Sequence, residues 1–223
     1  MKILLLVDDL FHPGEVPEKG FVFLKDEVNI IYDALNFDFD SLSDYHVVIV
    51  SKSHKRTKED AQGWKTQEVQ DKLVKYVENG GGLLINHSAT VADPENETFH
   101  QLIGCRFAYH PAPNPVTIAP VKPHPITEGV NLFTEIDEMY NLEILADDIN
   151  IIAAAYAPPQ GEVAKYKSEP YFNAPASISA AVYTREVGKG RICVLTPGHF
   201  PKVFANPEFI KLAKNAVKWL TKG

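Results

Sequence analysis

The stretch TQEVQDKLVKYVENGGGLLINHSAT, residues 66 to 90, places a helix directly before a buried strand. Its first half carries apolar side chains near helical spacing. Thr66 is suited to cap the start of that helix, and Gly80 is suited to the left-handed position beyond its end. The apolar run LLI that follows is typical of a strand covered on both faces. The stretch therefore predicts a helix over 66–79 and a strand over 83–86.

The rest of the chain repeats this alternation of strand and helix. Further strands are predicted over 3–7, 46–50 and 150–156, with a hairpin over 178–198. Further helices are predicted over 96–104 and 206–220. In the second of these, Asn206 is suited to cap the helix and Pro207 to take its first position. Residues 21–35 fit either helix or strand, and the proline-rich segment 109–130 predicts loop with one extended piece around 116–119. Buried strands separated by helices favour a parallel sheet covered on both faces, and we expect one α/β domain over 1–223.

The composition is that of an ordinary globular protein, with 45% hydrophobic and 23% charged residues. The net charge of −7 argues against a nucleic-acid partner, because phosphate binding requires basic surface. No run approaches the roughly 18 apolar residues that a membrane helix needs, and MKILLLVDDL is interpreted as a first strand instead of a signal peptide. Cys105 and Cys193 lie in apolar surroundings and are expected to be free thiols of a cytoplasmic protein.

Histidines follow three of the predicted strands. Ligands of open α/β sheets bind beyond the carboxyl ends of the strands, so His12, His87 and His199 are expected at one edge. Ser88 invites a nucleophile interpretation, but the G-x-S-x-G pattern of hydrolases is absent and the residue could equally cap a turn. His46, His54 and His100 are interpreted as ordinary surface or structural histidines.

The segment TEIDEMYNLEI, residues 134–144, places Asp137, Glu138 and Glu143 around Tyr140. Such acids could perform acid/base catalysis or bind sugar hydroxyls, although their spacing alone favours a solvated turn. His110 and His124 add to the histidines that a divalent metal could use. No HExxH motif or cysteine pair supplies metal-ligand spacing, so the metal signal in the sequence is weak.

The succession of GGGLLINHSAT, FHQLIGCRFAYHP, HPITEGV with DEMY, GKGRICVLTPGH and the closing NPEFIKLAKNAVKWL resembles the trehalose-utilisation ThuA-like family. The resemblance implies a three-layer, flavodoxin-like fold with a mostly parallel central sheet, similar to class I glutamine amidotransferases. In that superfamily the turn after the LLIN strand normally carries a nucleophilic cysteine, where this chain has Asn86-His87-Ser88. Glutaminase activity is therefore not expected. The chain also departs from the family at Phe204, where a tryptophan is expected, and at Cys105, which replaces a small residue.

Carried over residue by residue, the resemblance implies a site in which catalytic and substrate-binding residues share one edge of the sheet. The predicted catalytic residues are His87, Glu138 and His199, and the predicted substrate contacts are His12, Ser88, His110, His124, Asp137 and Tyr140. The favoured function is acid/base conversion of a sugar, glycoside or keto-sugar. The alternatives are a non-catalytic carbohydrate-binding or regulatory protein and a metal-dependent hydrolase holding a divalent metal. By analogy with the family we also expect a homo-oligomer.

Overall fold

The computed structural model describes residues 1–24, 27–60, 62–159 and 177–221. The strands are β1 Lys2–Val7, β2 Glu27–Ile31, β3 Val47–Ser51, β4 Gly82–Asn86, β5 Cys105–Tyr109, β6 Asn114–Pro120, β7 Phe133–Asp137, β8 Asn141–Ile144, β9 Asn150–Ala157, β10 Ser177–Val187 and β11 Gly190–Leu195. The helices are α1 Glu15–Gly20, α2 Gln67–Glu78, α3 Glu97–Ile103, α4 Pro201–Ala205 and α5 Pro207–Leu220. Short 3₁₀ turns cover Ala34–Asn36, Phe39–Asp44, His87–Thr90 and Pro94–Asn96.

Among the described residues, nine strands form one sheet in the order β2-β1-β3-β4-β11-β10-β9-β6-β7, and β5 pairs with β8 separately. The half from β2 to β11 is parallel throughout. Beyond β11 each strand is antiparallel to its neighbour. The sequence prediction of an α/β fold is confirmed, and the central sheet is mixed, with a parallel half that carries the helical crossovers.

Two hydrophobic cores lie on opposite faces of the sheet, because successive side chains of a strand point in opposite directions. In β1, Ile3 and Leu5 belong to the core beneath α4 and α5, whereas Leu4 and Leu6 belong to the core beneath α2 and α3. All four are almost completely buried. The arrangement is three layers, helix, sheet and helix, as the buried-type strands predicted.

Local signals for the long helices are confirmed. The Thr66 hydroxyl accepts a hydrogen bond from the Val69 amide at 3.4 Å, and Gly80 adopts a φ of +112° after α2 ends. The Asn206 side chain accepts from the Glu208 amide at 2.9 Å at the start of α5. These caps satisfy amide groups that a helix terminus leaves unpaired.

The structure resolves the ambiguous segments through pairing that is distant in sequence. Part of 21–35 forms β2, which pairs with β1. The extended piece at 116–119 lies within β6, whose neighbours are β7 and β9. The interpretation of 134–144 as a solvated turn is wrong, since β7 covers its first residues and Asp137, Glu138 and Tyr140 are all buried. Cys105 and Cys193 are free and buried.

No helix in the described part of the chain combines the length and apolar character that crossing a bilayer requires.

Candidate functional site

Four chain segments meet at the carboxyl edge of the sheet. The ends of β1, β4 and β11 lead to His12, His87 and His199, and these three strands run in parallel. The end of β7 leads to Glu138; four successive antiparallel pairings separate β7 from β11, so the two strands end at the same edge. The topology thus gathers side chains that are up to 187 positions apart, from 12 to 199.

The Glu138 carboxylate is the centre of the cluster. Its Oε2 atom lies 3.0 Å from His199 Nδ1, 3.5 Å from His87 Nε2 and 3.6 Å from His110 Nε2. The rings of His12, His87 and His199 form a triangle with centroid separations of 5.0, 5.1 and 5.5 Å. The three histidines that follow predicted strands therefore lie together at this edge.

Backbone geometry and hydrogen bonds orient the three rings. His87 has a φ of +46°, a left-handed conformation that is rare for a residue with a Cβ, and this sharp turn begins directly after β4. His87 Nδ1 lies 2.7 Å from the Thr196 carbonyl oxygen, and His12 Nδ1 lies 2.8 Å from Asp9 Oδ1. The rings of His87 and His12 are therefore held by their outer nitrogens, and the inner nitrogen of each faces the cluster.

Asp137 supports the loop that carries His199. Its carboxylate accepts hydrogen bonds from the Gly198 amide at 2.9 Å and from the His199 amide at 3.0 Å. Asp137 is almost completely buried, so these amide groups are its described partners at the site. Its predicted contact with substrate stays a prediction.

The surroundings of the cluster shift the pKa values of its members in different directions. Burial by itself would raise the pKa of Glu138, but the imidazoles of His199, His87 and His110 outweigh burial and hold that pKa below its usual value. Burial would lower the pKa of His199, but its contact with Glu138 raises it. Burial lowers the pKa of His87. Glu138 is thus a carboxylate at neutral pH, and His87 is neutral.

The remaining predicted residues divide into those that the structure brings to the cluster and one that it does not. Tyr140 packs on His87 with a centroid distance of 3.9 Å and stacks on His110 at 5.5 Å. Ser88 is buried in the 3₁₀ turn beside His87. His124 lies instead against Trp219 near the end of α5, at 5.3 Å between ring centroids, and is not part of this cluster.

Asp9 and the Thr196 carbonyl were not singled out from the sequence. Asp9 lies two positions after the end of β1 and three positions before His12, a spacing that could have suggested the contact. Thr196 contributes a backbone atom, which leaves no signal in the residue type. His54, interpreted as an ordinary histidine, is buried and forms a second group with Asp93 and Glu95.

Fold and site together define an α/β protein with a histidine-carboxylate cluster at the carboxyl edge of its central sheet. The profile of the ThuA family, described as trehalose utilisation, matches residues 18–220. The chain belongs to the ThuA family. No curated protein matches it.

Solved structures with the same fold include two described as ThuA-like. The one from Bacteroides uniformis is 20% identical, with a TM-score of 0.71 over 99% of this chain and 91% of that chain. The one from Parabacteroides merdae is 18% identical, with a TM-score of 0.73 over 100% and 90%. A protein described as a GMP synthase subunit from Thermoplasma acidophilum is 12% identical, with a TM-score of 0.60 over 98% and 93%. At these identities the likeness concerns the fold.

Proposed function

We propose that this chain is an enzyme of carbohydrate metabolism that converts a sugar, glycoside or keto-sugar by acid/base chemistry at the Glu138 cluster, without glutaminase activity. The family's description as trehalose utilisation supports the substrate class. The reaction type is one of proton transfer to or from sugar oxygen or carbon, which covers hydrolysis, elimination and isomerisation.

The main support for this proposal is the environment of Glu138. Its carboxylate is buried, and four imidazoles surround it at the edge where α/β sheets bind ligands. His12, His110 and His199 keep 11%, 13% and 19% of their side chains exposed, so these three rings form the side of the cluster nearest to solvent. Clusters of titratable groups with displaced pKa values are a recurrent feature of reaction centres.

Among the described residues, this edge carries no cysteine nucleophile of the kind a glutaminase uses. The turn after β4 carries His87 and Ser88, and Ser88 is buried. Burial raises the pKa of Cys105 to about 12 and also raises the pKa of Cys193, so both thiols are poor nucleophiles. The chemistry therefore falls to the imidazoles and the carboxylate.

Turnover of a sugar panel by wild type and by two matched variants tests the proposal. Glu138→Gln removes the central carboxylate, and Glu95→Gln removes the exposed carboxylate that faces His54 in the second group. We expect wild type to convert at least one disaccharide or keto-sugar, Glu138→Gln to lose roughly 10²- to 10⁴-fold in rate, and Glu95→Gln to retain it. Product formation is followed by NMR.

Two results would contradict the proposal. Sugar binding without product over long incubation would show a carbohydrate-binding protein instead of an enzyme. Equal turnover by wild type and Glu138→Gln would place the reaction elsewhere in the molecule.

A further inference from the structure

We propose that the cluster binds one divalent transition-metal ion through His12 Nε2, His87 Nε2, His199 Nδ1 and Glu138 Oε2. The inference deepens the proposed function, because it concerns the same site, but it does not depend on which sugar is converted. It assigns metal ligation to His87 and His199, which were predicted as catalytic residues, and to His12, which was predicted as a substrate contact.

The spacing of the four donor atoms fits a single ion. They all lie within 4.8 Å of one another, and the two nearest to Glu138 Oε2 lie 3.0 and 3.5 Å from it. A tetrahedral ion with metal–ligand bonds of about 2.1 Å holds its ligand atoms roughly 3.4 Å apart. Small side-chain adjustments would therefore complete the coordination.

The hydrogen bonds on the outer nitrogens set the tautomer that a metal requires. The Thr196 carbonyl can only accept, so His87 Nδ1 carries a proton and Nε2 of the neutral ring presents its lone pair inward. The Asp9 carboxylate imposes the same tautomer on His12. A ligating histidine commonly donates its other N–H to a carboxylate or a backbone carbonyl, and both arrangements occur here.

The inner nitrogens have no hydrogen-bond partner among the described residues. His12 Nε2, His87 Nε2 and His199 Nδ1 are all buried, and none makes a hydrogen bond of acceptable geometry, although His199 Nδ1 is 3.0 Å from Glu138 Oε2. Buried polar atoms are nearly always paired, so three unpaired atoms that converge on one carboxylate need a common explanation. One cation satisfies all three and balances the Glu138 charge.

The donor set indicates the class of ion. Three imidazoles and one carboxylate suit zinc, manganese, iron(II), cobalt or nickel, whereas magnesium and calcium prefer all-oxygen sites. Such an ion would polarise a sugar oxygen bound at a further coordination position. His110, outside the group of four ligands but 3.6 Å from Glu138 Oε2, is then the imidazole placed to contact the bound sugar.

Metal titration of untagged protein tests the inference. Chelator-stripped wild type, His199→Gln and His54→Gln are titrated with Co²⁺ and Zn²⁺, metal per chain is measured by elemental analysis, and the visible Co²⁺ spectrum reports the ligands. We expect about one ion per chain for wild type and for His54→Gln, a rise in Tm on metal addition, and at least tenfold weaker binding by His199→Gln.

Circular dichroism of the stripped proteins confirms that each variant is folded, and Glu138→Gln supplies a second ligand variant if His199→Gln is not. Binding of less than about 0.2 ion per chain by folded wild type would overturn the inference. Metal affinity of the ligand variants equal to that of wild type would overturn it as well. Sugar turnover by a wild-type protein that binds no metal would overturn the inference while leaving the proposed function intact. Stoichiometric metal without sugar turnover would do the reverse.

Discussion

Two histidine-carboxylate groups in this protein have similar composition and different chemistry. One joins His12, His87 and His199 to Glu138, and the other joins His54 to Asp93 and Glu95. In the first, the outer nitrogens of His12 and His87 donate hydrogen bonds, so their inner nitrogens carry lone pairs. In the second, His54 Nδ1 accepts a hydrogen bond from the Lys65 amide at 3.3 Å.

This hydrogen bond from the Lys65 amide gives His54 the opposite tautomer to His12 and His87. With Nδ1 as acceptor, the proton of a neutral His54 lies on Nε2, which faces Glu95 Oε2 at 3.3 Å. The nitrogen nearest the carboxylates is therefore a donor, and Glu95 is 70% exposed, where solvent screens its charge. The comparison shows that the number of histidines and acids does not define a metal site. The atoms that hold the far side of each ring decide which nitrogen is available.

Of the changes that should affect the two groups differently, substitution of Asp9 is expected to have the largest effect on metal affinity. Asp9→Asn removes the negative charge that fixes His12, and we expect metal affinity to fall about 10- to 100-fold. Asp93→Asn makes the same change in the second group and is expected to leave affinity unchanged. Isothermal titration with Zn²⁺ measures both, and equal affinities for the two variants would contradict the asymmetry between the groups.

A second prediction concerns the buried lysine beside the second group. Lys65 is fully buried, its Nζ has no hydrogen-bond partner in the described ranges, and burial lowers its pKa to about 7 from 10.5. The unfolded chain binds more protons between these values, so this lysine makes the free energy of unfolding fall as pH falls from about 10.5 to about 7. Lys65→Met is expected to remove that slope and to stabilise the protein at neutral pH by about 1–3 kcal/mol.

Urea denaturation at several pH values checks the lysine prediction. Lys189→Met, at an exposed position of the β10–β11 hairpin, is the matched control and should keep the wild-type slope. A Lys65→Met protein that is less stable than wild type at pH 7 would show that the buried amine has a partner after all.

The smallest expected effect belongs to His100. Burial and then the charge of Lys65 lower its pKa to about 4, so its contribution to stability is complete above about 6.5 and is lost as pH falls toward about 4. His100→Gln should flatten the stability curve in that window, and the exposed His46→Gln should not. Thermal unfolding between pH 4 and 7 measures the difference, and parallel curves for wild type and His100→Gln would refute it.

Much of the fold was predictable from the sequence because it depends on local patterns. Short runs of residues are enough to indicate the buried strands, the cap at Thr66 and the long helix that begins after Asn206. The convergence of His87 and His199 was predictable too, since residues that follow parallel strands share one edge. Their ring centroids lie 5.5 Å apart.

The rest depends on contacts that no short run of residues encodes. The spacing of the acidic residues alone favours a solvated turn around Glu138. The strand β7 that precedes Glu138 is held by its pairing with β6, which the local sequence does not show. The tautomer of His87 depends on a carbonyl oxygen 109 positions away. The burial of His54, Lys65 and His100 also involves contacts between separate segments: the Lys65 ammonium lies over the Phe99 ring, and the Lys65 amide donates a hydrogen bond to His54 Nδ1.

The most direct measurement is a long-range ¹H–¹⁵N correlation spectrum of the imidazoles in metal-free protein at mildly alkaline pH. We predict that His12 and His87 are protonated at Nδ1 and unprotonated at Nε2 and that His54 shows the opposite tautomer. Added Zn²⁺ should shift the Nε2 resonances of His12 and His87 and leave that of His54 unchanged. Protonated Nε2 atoms in His12 and His87 would contradict this prediction, because neither ring could then present a lone pair to a metal ion.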